Sequence, residues 1–228
     1  MAFAAINTLK PIIKNYSWGN NSFISSLLNK KGGEVEAELW MGAHPLGSSF
    51  LENGITLYDQ LNEDISIAGF DGKSFPYLFK ILAIDSILSI QCHPNRKQSK
   101  EGYKKEEEKR QKGVLSNLNY KDPNPKEEMF LALTPSTALL GFKTLDSIKE
   151  AFTTYASQSF FKYFSEIGTI KLFFHTLYNL SLEERLDIQK EFLSNLGYES
   201  DENQVFITPK ALFNSLCNKY PGDPGVFA

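Results

Sequence analysis

The chain has 228 residues, 42% of them hydrophobic and 13% aromatic, with a formal net charge of −3. Such length and apolar content describe a globular protein of one sizeable domain or two small ones, and exclude a disordered chain. The slight acidity argues against nucleic acid as a partner, because binding a phosphate backbone needs a basic face, and the apolar runs are too short to span a bilayer.

In chain order, the first half reads as β-rich. Short apolar runs alternate with the turn signals Asn20-Asn21, Lys31-Gly32-Gly33, Glu52-Asn53-Gly54 and Asp71-Gly72-Lys73. Strands are expected over Glu36 to Met41 and Tyr77 to Ile84, and a tight turn near Asp85-Ser86 leads to a third over Ser89 to His93. Arg96 to Lys112 mixes charges of both signs. A run of that kind is ordinarily a solvated helix or loop, and a mobile lid beside a site is its functional alternative. Met129 to Leu133 is a further expected strand, ended by Thr134-Pro135.

From about Leu145 the apolar spacing becomes helical. Helices are expected over Leu145 to Ala156, with a cap at Thr144 or Asp146, and over Thr169 to Asn179. Ser181-Leu182-Glu183-Glu184 has the form of a capping box and opens a helix through Leu196 that ends at Gly197. Thr208-Pro209-Lys210 opens a last helix to about Asn218, and Tyr220-Pro221-Gly222-Asp223-Pro224-Gly225 breaks it. There are two cysteines, Cys92 and Cys217, so no disulfide framework is implied. Met1 to Asn15 lacks a charged segment followed by a long apolar one, so no secretory signal is expected and a reducing, cytoplasmic setting fits.

The segments richest in chemistry are Leu88-Ser89-Ile90-Gln91-Cys92-His93-Pro94 and Asp122-Pro123-Asn124-Pro125-Lys126-Glu127-Glu128. On a strand, Ser89, Gln91 and His93 would share one face, and Cys92 would face away from them into the core. An amide oxygen and an imidazole two residues apart can reach one cation, with Glu128 adding a carboxylate, and histidine and carboxylate are ordinary zinc ligands. Taken alone, Gln91 and His93 read as a satisfied polar rim. Lys80 on the preceding strand and Lys126 near Glu128 add the charges that suit an anionic substrate such as a sugar phosphate. A zinc site beside a lysine also suits proton transfer next to a carbonyl. Glu127 could take the place of Glu128, but strand neighbours face opposite ways and both would not bind together. His44, ahead of a proline, reads as a turn residue, and His175 as a packed or half-exposed helix residue. Trp40 reads as core, while Trp18 and Glu38 are candidates for a pocket floor.

Five motifs in order resemble type I mannose-6-phosphate isomerase (phosphomannose isomerase). They are Asn15-Tyr16-Ser17-Trp18-Gly19, the run from Ala37 to Pro45 (Ala-Glu-Leu-Trp-Met-Gly-Ala-His-Pro), Phe79-Lys80-Ile81-Leu82, the run from Leu88 to Asn95, and Tyr120-Lys121-Asp122-Pro123-Asn124. The resemblance implies interconversion of mannose 6-phosphate and fructose 6-phosphate through a cis-enediol, with one bound zinc, in a cytoplasmic enzyme supplying GDP-mannose biosynthesis. It implies an α+β fold: a partial cupin-type β-barrel (jelly roll) over residues 1–143, a helical insertion over 144–220, and the start of a second β portion at 221–228. By motif position, Gln91, His93 and Glu128 correspond to zinc ligands, and Lys126 and Lys80 to active-site lysines. Ser89 corresponds to a substrate-side serine. Lys126 and a metal-bound water are both candidates for the general base.

Two departures from the family pattern matter. The family usually reads Asn-His-Lys-Pro-Glu where this chain has Asn124-Pro125-Lys126-Glu127-Glu128, and proline offers no acid or base for ring opening. The family's fourth ligand, a histidine, and an active-site arginine lie downstream of a segment like Tyr220 to Phe227, and the sequence stops at Ala228. The expectation is therefore an isomerase site lacking one protein ligand, in a barrel with open edges that is either marginally stable or covered by homo-oligomerisation. The competing expectation is a homologue that binds a metal or sugar phosphate without turnover.

Overall fold

The computed structural model describes residues 8–68, 75–116, 118–197 and 209–227. These residues form two compact units, 1–88 and 89–228. The expected turn at Asp71-Gly72-Lys73, the Thr208 cap and Ala228 lie outside the described residues.

The first unit is built on an antiparallel sheet of β1 (Ile12–Lys14), β2 (Glu38–Met41) and β5 (Phe79–Leu82), in the order β1-β2-β5. Between them lie α1 (Phe23–Leu27), a hairpin of β3 (Ala43–His44) and β4 (Gly47–Ser48), and α2 (Leu57–Glu63). The pairing Lys14↔Glu38, Leu39↔Ile81 and Trp40↔Lys80 sorts the side chains by the two-residue period of a strand. Ile13, Leu39, Met41 and Ile81 turn to one face and pack with Ile24 and Ala83, a small core. Lys14, Glu38, Trp40 and Lys80 fall on the other face.

Backbone bridges bring the Trp18-Gly19 segment to the same sheet: Gly19 pairs with Ile84, and Asn20 with Glu36. A Cβ on Gly19 would lie 2.6 Å from the Glu36 carbonyl, so only glycine fits this approach.

The second unit begins with α3 (Arg96–Gln111), followed by α4 (Leu145–Tyr155), α5 (Gln158–Phe164), α6 (Ile170–Asn179), α7 (Leu182–Asn195) and α8 (Pro209–Lys219). Residues four apart, such as Ile148/Phe152, Phe173/Leu177 and Ile188/Phe192, are buried together in one aromatic core. Phe152 is its centre, with ring centroids 4.4 Å from Phe164, 5.5 Å from Phe173 and 5.0 Å from Phe192. Each such side chain contributes roughly 1.5–3 kcal/mol by leaving water.

The caps set the helix starts. Thr144 and Thr169 accept from the N–H groups of Ser147 and Leu172, and Ser181 and Glu184 complete the expected reciprocal box. The N–H of Ser181 leads the effects that hold the Glu184 carboxyl below its ordinary range.

Several expectations need correction. The first half carries α1 and α2 as well as strands, whereas the charged run is the helix α3, one of the two forms ordinarily expected of it. Neither Ser89 to His93 nor Met129 to Leu133 is a strand. A strand needs a neighbouring edge for its backbone groups, and among the described residues nothing pairs with either segment. Cys92, expected in the core, is exposed for the same reason. Cys217 is the buried thiol, its pKa pushed up to about 11 by burial. The described strands form a three-stranded sheet and a hairpin, and no closed barrel.

Candidate metal centre and active-site residues

In the first unit the polar face of the sheet gathers one cluster. Glu38 Oε2 accepts a hydrogen bond from Trp40 Nε1 and lies 3.6 Å from Lys80 Nζ. Lys80 also sits 4.9 Å from the centroid of the Trp40 ring, a cation–π contact. Trp40 is buried, as the sequence suggests, and its indole therefore serves as the wall against which the lysine is held. Trp18 is half-buried in the turn before Gly19, stacked on Tyr16 at 5.7 Å, and its carbonyl accepts from the N–H of Asp85 at 2.9 Å.

Lys14 was not among the expected site residues. Its Nζ lies 4.7 Å from the centroid of the Trp40 ring and donates to the Leu46 carbonyl at 2.6 Å. A three-residue strand is too short to show a period, so only the pairing with β2 reveals that Lys14 shares this face. His44 ends β3 opposite Gly47 and so flanks the hairpin turn rather than lying in it: Nδ1 accepts from the N–H of Leu46 at 3.1 Å, and the ring meets Trp40 edge-on.

The second unit holds the other expected residues. His93 Nε2 lies 3.5 Å from Glu128 Oε1, which joins two segments 35 positions apart. Gln91 Nε2 donates to Ser89 Oγ at 3.4 Å, so these two side chains meet without a strand to align them. The expected strands 89–93 and 129–133 are irregular segments without regular elements. The Asp122 carboxylate accepts from the N–H of Asn124 at 2.9 Å, an Asx turn in the proline-flanked run before Lys126. Lys126 and Gln91 are exposed. His175, on the exposed face of α6, bonds Asn179 at 3.1 Å.

The His93–Glu128 spacing suits a metal. Two donors about 2.0–2.2 Å from one tetrahedral zinc stand about 3.4 Å from each other. Among the described residues no three His, Cys, Asp or Glu side chains converge, so a third protein donor here would be an amide such as that of Gln91.

The comparisons with known proteins agree with one another. Residues 6–145 match the family model described as phosphomannose isomerase type I, catalytic domain. The mannose-6-phosphate isomerase of Escherichia coli (strain K12) is 30% identical over 231 residues, covering 95% of this chain and 58% of that protein. The crystal structure of apo mannose 6-phosphate isomerase from Salmonella typhimurium superposes with a TM-score of 0.79 at 30% identity, covering 97% of this chain and 58% of that one. The same Salmonella enzyme bound to fructose 6-phosphate and zinc gives 0.79 at 31% identity, with the same coverage. The chain thus spans somewhat more than half the length of the relatives it matches.

Proposed function

Because the chain belongs to the type I phosphomannose isomerase family, we propose that it carries that family's chemistry: zinc-dependent interconversion of mannose 6-phosphate and fructose 6-phosphate. The observation that carries the reading is the 3.5 Å spacing of His93 and Glu128 inside the matched region. Gln91, His93 and Glu128 would hold the metal. When bound, zinc supplies a Lewis acid that polarises a sugar oxygen beside the carbon that loses its proton.

The chain's own groups do the rest. Lys126, two residues from Glu128 and open to solvent, moves the proton between C1 and C2. Lys80, held by Glu38 and Trp40, offers an ammonium to the anionic substrate as a compact charge. Ser89 and Trp18 contribute a hydroxyl and an aromatic face to the sugar. Pro125 supplies no proton, so ring opening must use another group or proceed unaided.

The finer architecture belongs to the same proposal. It comprises a cupin-type β portion over 1–143, a helical part over 144–220 and the start of a second β portion at 221–228. The antiparallel β1-β2-β5 sheet supports the β portion, and the helices from α4 onward support the helical part. Among the described residues no helix is long and apolar enough to cross a membrane, and a cytoplasmic role in GDP-mannose supply is part of the reading.

The test is a coupled fructose 6-phosphate assay of this polypeptide with zinc supplied. Turnover should require zinc and should fall at least about 100-fold in Gln91→Ala and His93→Ala, as loss of metal ligands does. Absence of turnover with zinc bound would overturn the catalytic reading and leave a metal-binding homologue.

A further inference from the structure

His93 and Glu128 reach each other across 35 positions, and neither sits on a strand. Something else has to fix their spacing. The structure assigns that work to α3: we propose that Glu106, with Gly102 as the seat for Tyr120, is a positioning residue that holds the Glu128 segment in register with His93. The inference rests on the ligand reading given above and extends it to residues that touch neither metal nor substrate.

His93 lies two residues ahead of Asn95, the cap of α3. Asn95 Oδ1 accepts from the N–H of Gln98 at 2.9 Å, Gln98 Oε1 accepts from the N–H of Asn95 at 3.0 Å, and the buried Ser99 hydroxyl donates to the Asn95 carbonyl at 2.8 Å. The capping box leaves the backbone just after His93 little freedom.

Farther along the same helix, Gly102, Glu106 and Arg110 recur every four residues and so share one face. That face receives the segment leading to Glu128. Glu106 is 6% exposed, although α3 is otherwise heavily charged and solvated. Its two carboxylate oxygens accept from consecutive backbone N–H groups, Oε1 from Asn119 at 2.9 Å and Oε2 from Tyr120 at 2.7 Å. Arg110 donates to the Tyr120 carbonyl. The Tyr120 ring lies against Gly102, where a Cβ would meet ring carbons at 2.3–2.6 Å. The backbone hydrogen bond from Asn119 is the leading cause that holds the Glu106 carboxyl below its ordinary range, with the N–H of Tyr120 and the charges of Arg110 and Lys109 acting the same way against the burial penalty.

One rigid helix therefore anchors both limbs. Its start fixes the chain beside His93, and its middle fixes Tyr120, eight residues before Glu128. Metal ligands need such support, because a donor free to wander loses affinity.

The experiment compares the full chain with Glu106→Gln, Gly102→Ala and the control Glu108→Gln, at an exposed position of the same helix, by zinc competition against a chromophoric chelator and by amide exchange of the metal-free protein. Glutamine keeps the shape but turns an NH2 toward one of the two backbone donors, and alanine at 102 displaces the Tyr120 ring. Both variants should bind zinc about 10–100-fold more weakly, the loss typical when the support of a ligand is removed. Exchange at Asn119 and Tyr120 should rise about tenfold or more while α4 to α7 stay as protected as in the parent. Glu108→Gln should change neither. Unchanged exchange at Asn119 and Tyr120, or faster exchange with zinc affinity within about twofold of the parent, would overturn the assignment. Gly102→Ala decides the matter if Glu106→Gln does not fold. A parent chain that binds zinc no better than His93→Ala would defeat the ligand reading instead, and the exchange data would still judge the clamp.

Discussion

Glu38 has two demands on one carboxylate oxygen: the Trp40 indole N–H and the Lys80 ammonium. The side chains of the ion pair are 12% and 35% exposed, so water screens the pair in part and its share of stability is small, about 1 kcal/mol or less. Its share of function is larger if Lys80 must stand in one place, since misplacing a catalytic group costs far more in rate than in stability. Glu38→Gln is therefore expected to shift the denaturant midpoint little while lowering isomerase turnover about tenfold or more. Equal turnover in the variant would reduce the cluster to sheet packing. The candidates were legible as such: Glu38, Trp40, Lys80, Gln91 and His93 stand in the family motifs, and Glu128 in the run just after them. Lys14 was not, because its place beside Trp40 follows from strand pairing rather than from any local pattern.

Among the elements, helices with side-chain caps were read closely, since a cap is a contact between residues three apart. Strands were read less well, since each depends on a partner distant in sequence, as the segments 89–93 and 129–133 demonstrate. Two glutamates bind helix ends and loops in a way that ties stability to pH. Glu184 at the start of α7 and Glu106 in α3 both have depressed folded-state pKa values, caused first by the N–H of Ser181 and the N–H of Asn119 respectively. A depressed carboxylate stabilises the fold fully above its unfolded pKa and loses that contribution as pH falls through the folded value. Stability should thus hold from neutrality to about pH 5 and decline below it. Glu106→Gln should flatten part of that acid limb, as read by thermal melts between pH 3 and 7 (about one melt per half unit). An acid limb identical to that of the parent would count against the clamp's charge.

At the scale of the whole molecule, the run after Glu128 exposes apolar side chains that a folded protein rarely leaves in water. Met129 is 96% exposed, Leu131 78% and Leu140 99%. Isolated exposed apolar residues are ordinary, but a contiguous ribbon with unpaired backbone invites pairing with another surface. The purified chain is therefore expected to gain mass with concentration in analytical ultracentrifugation. Leu131→Lys combined with Leu140→Lys should move it toward monomer without lowering its thermal transition. A single monomer across the whole concentration range would remove the argument for self-association.

Sequence alone determined the family and the starts of α4, α6 and α7, and it supplied the candidates for the zinc site. Each of these is written in local order: motifs in succession, caps three residues from their partners, apolar side chains four apart. The tertiary structure decided which residues meet. It joined His93 to Glu128 across 35 positions, set Lys14 and Lys80 on the Trp40 ring, and turned a charged helix into the seat of Tyr120. Among the described residues it also left the segments 89–93 and 129–133 without strand partners. Contacts between distant parts of a chain depend on loop closure and on which surfaces find partners, and no local pattern encodes either.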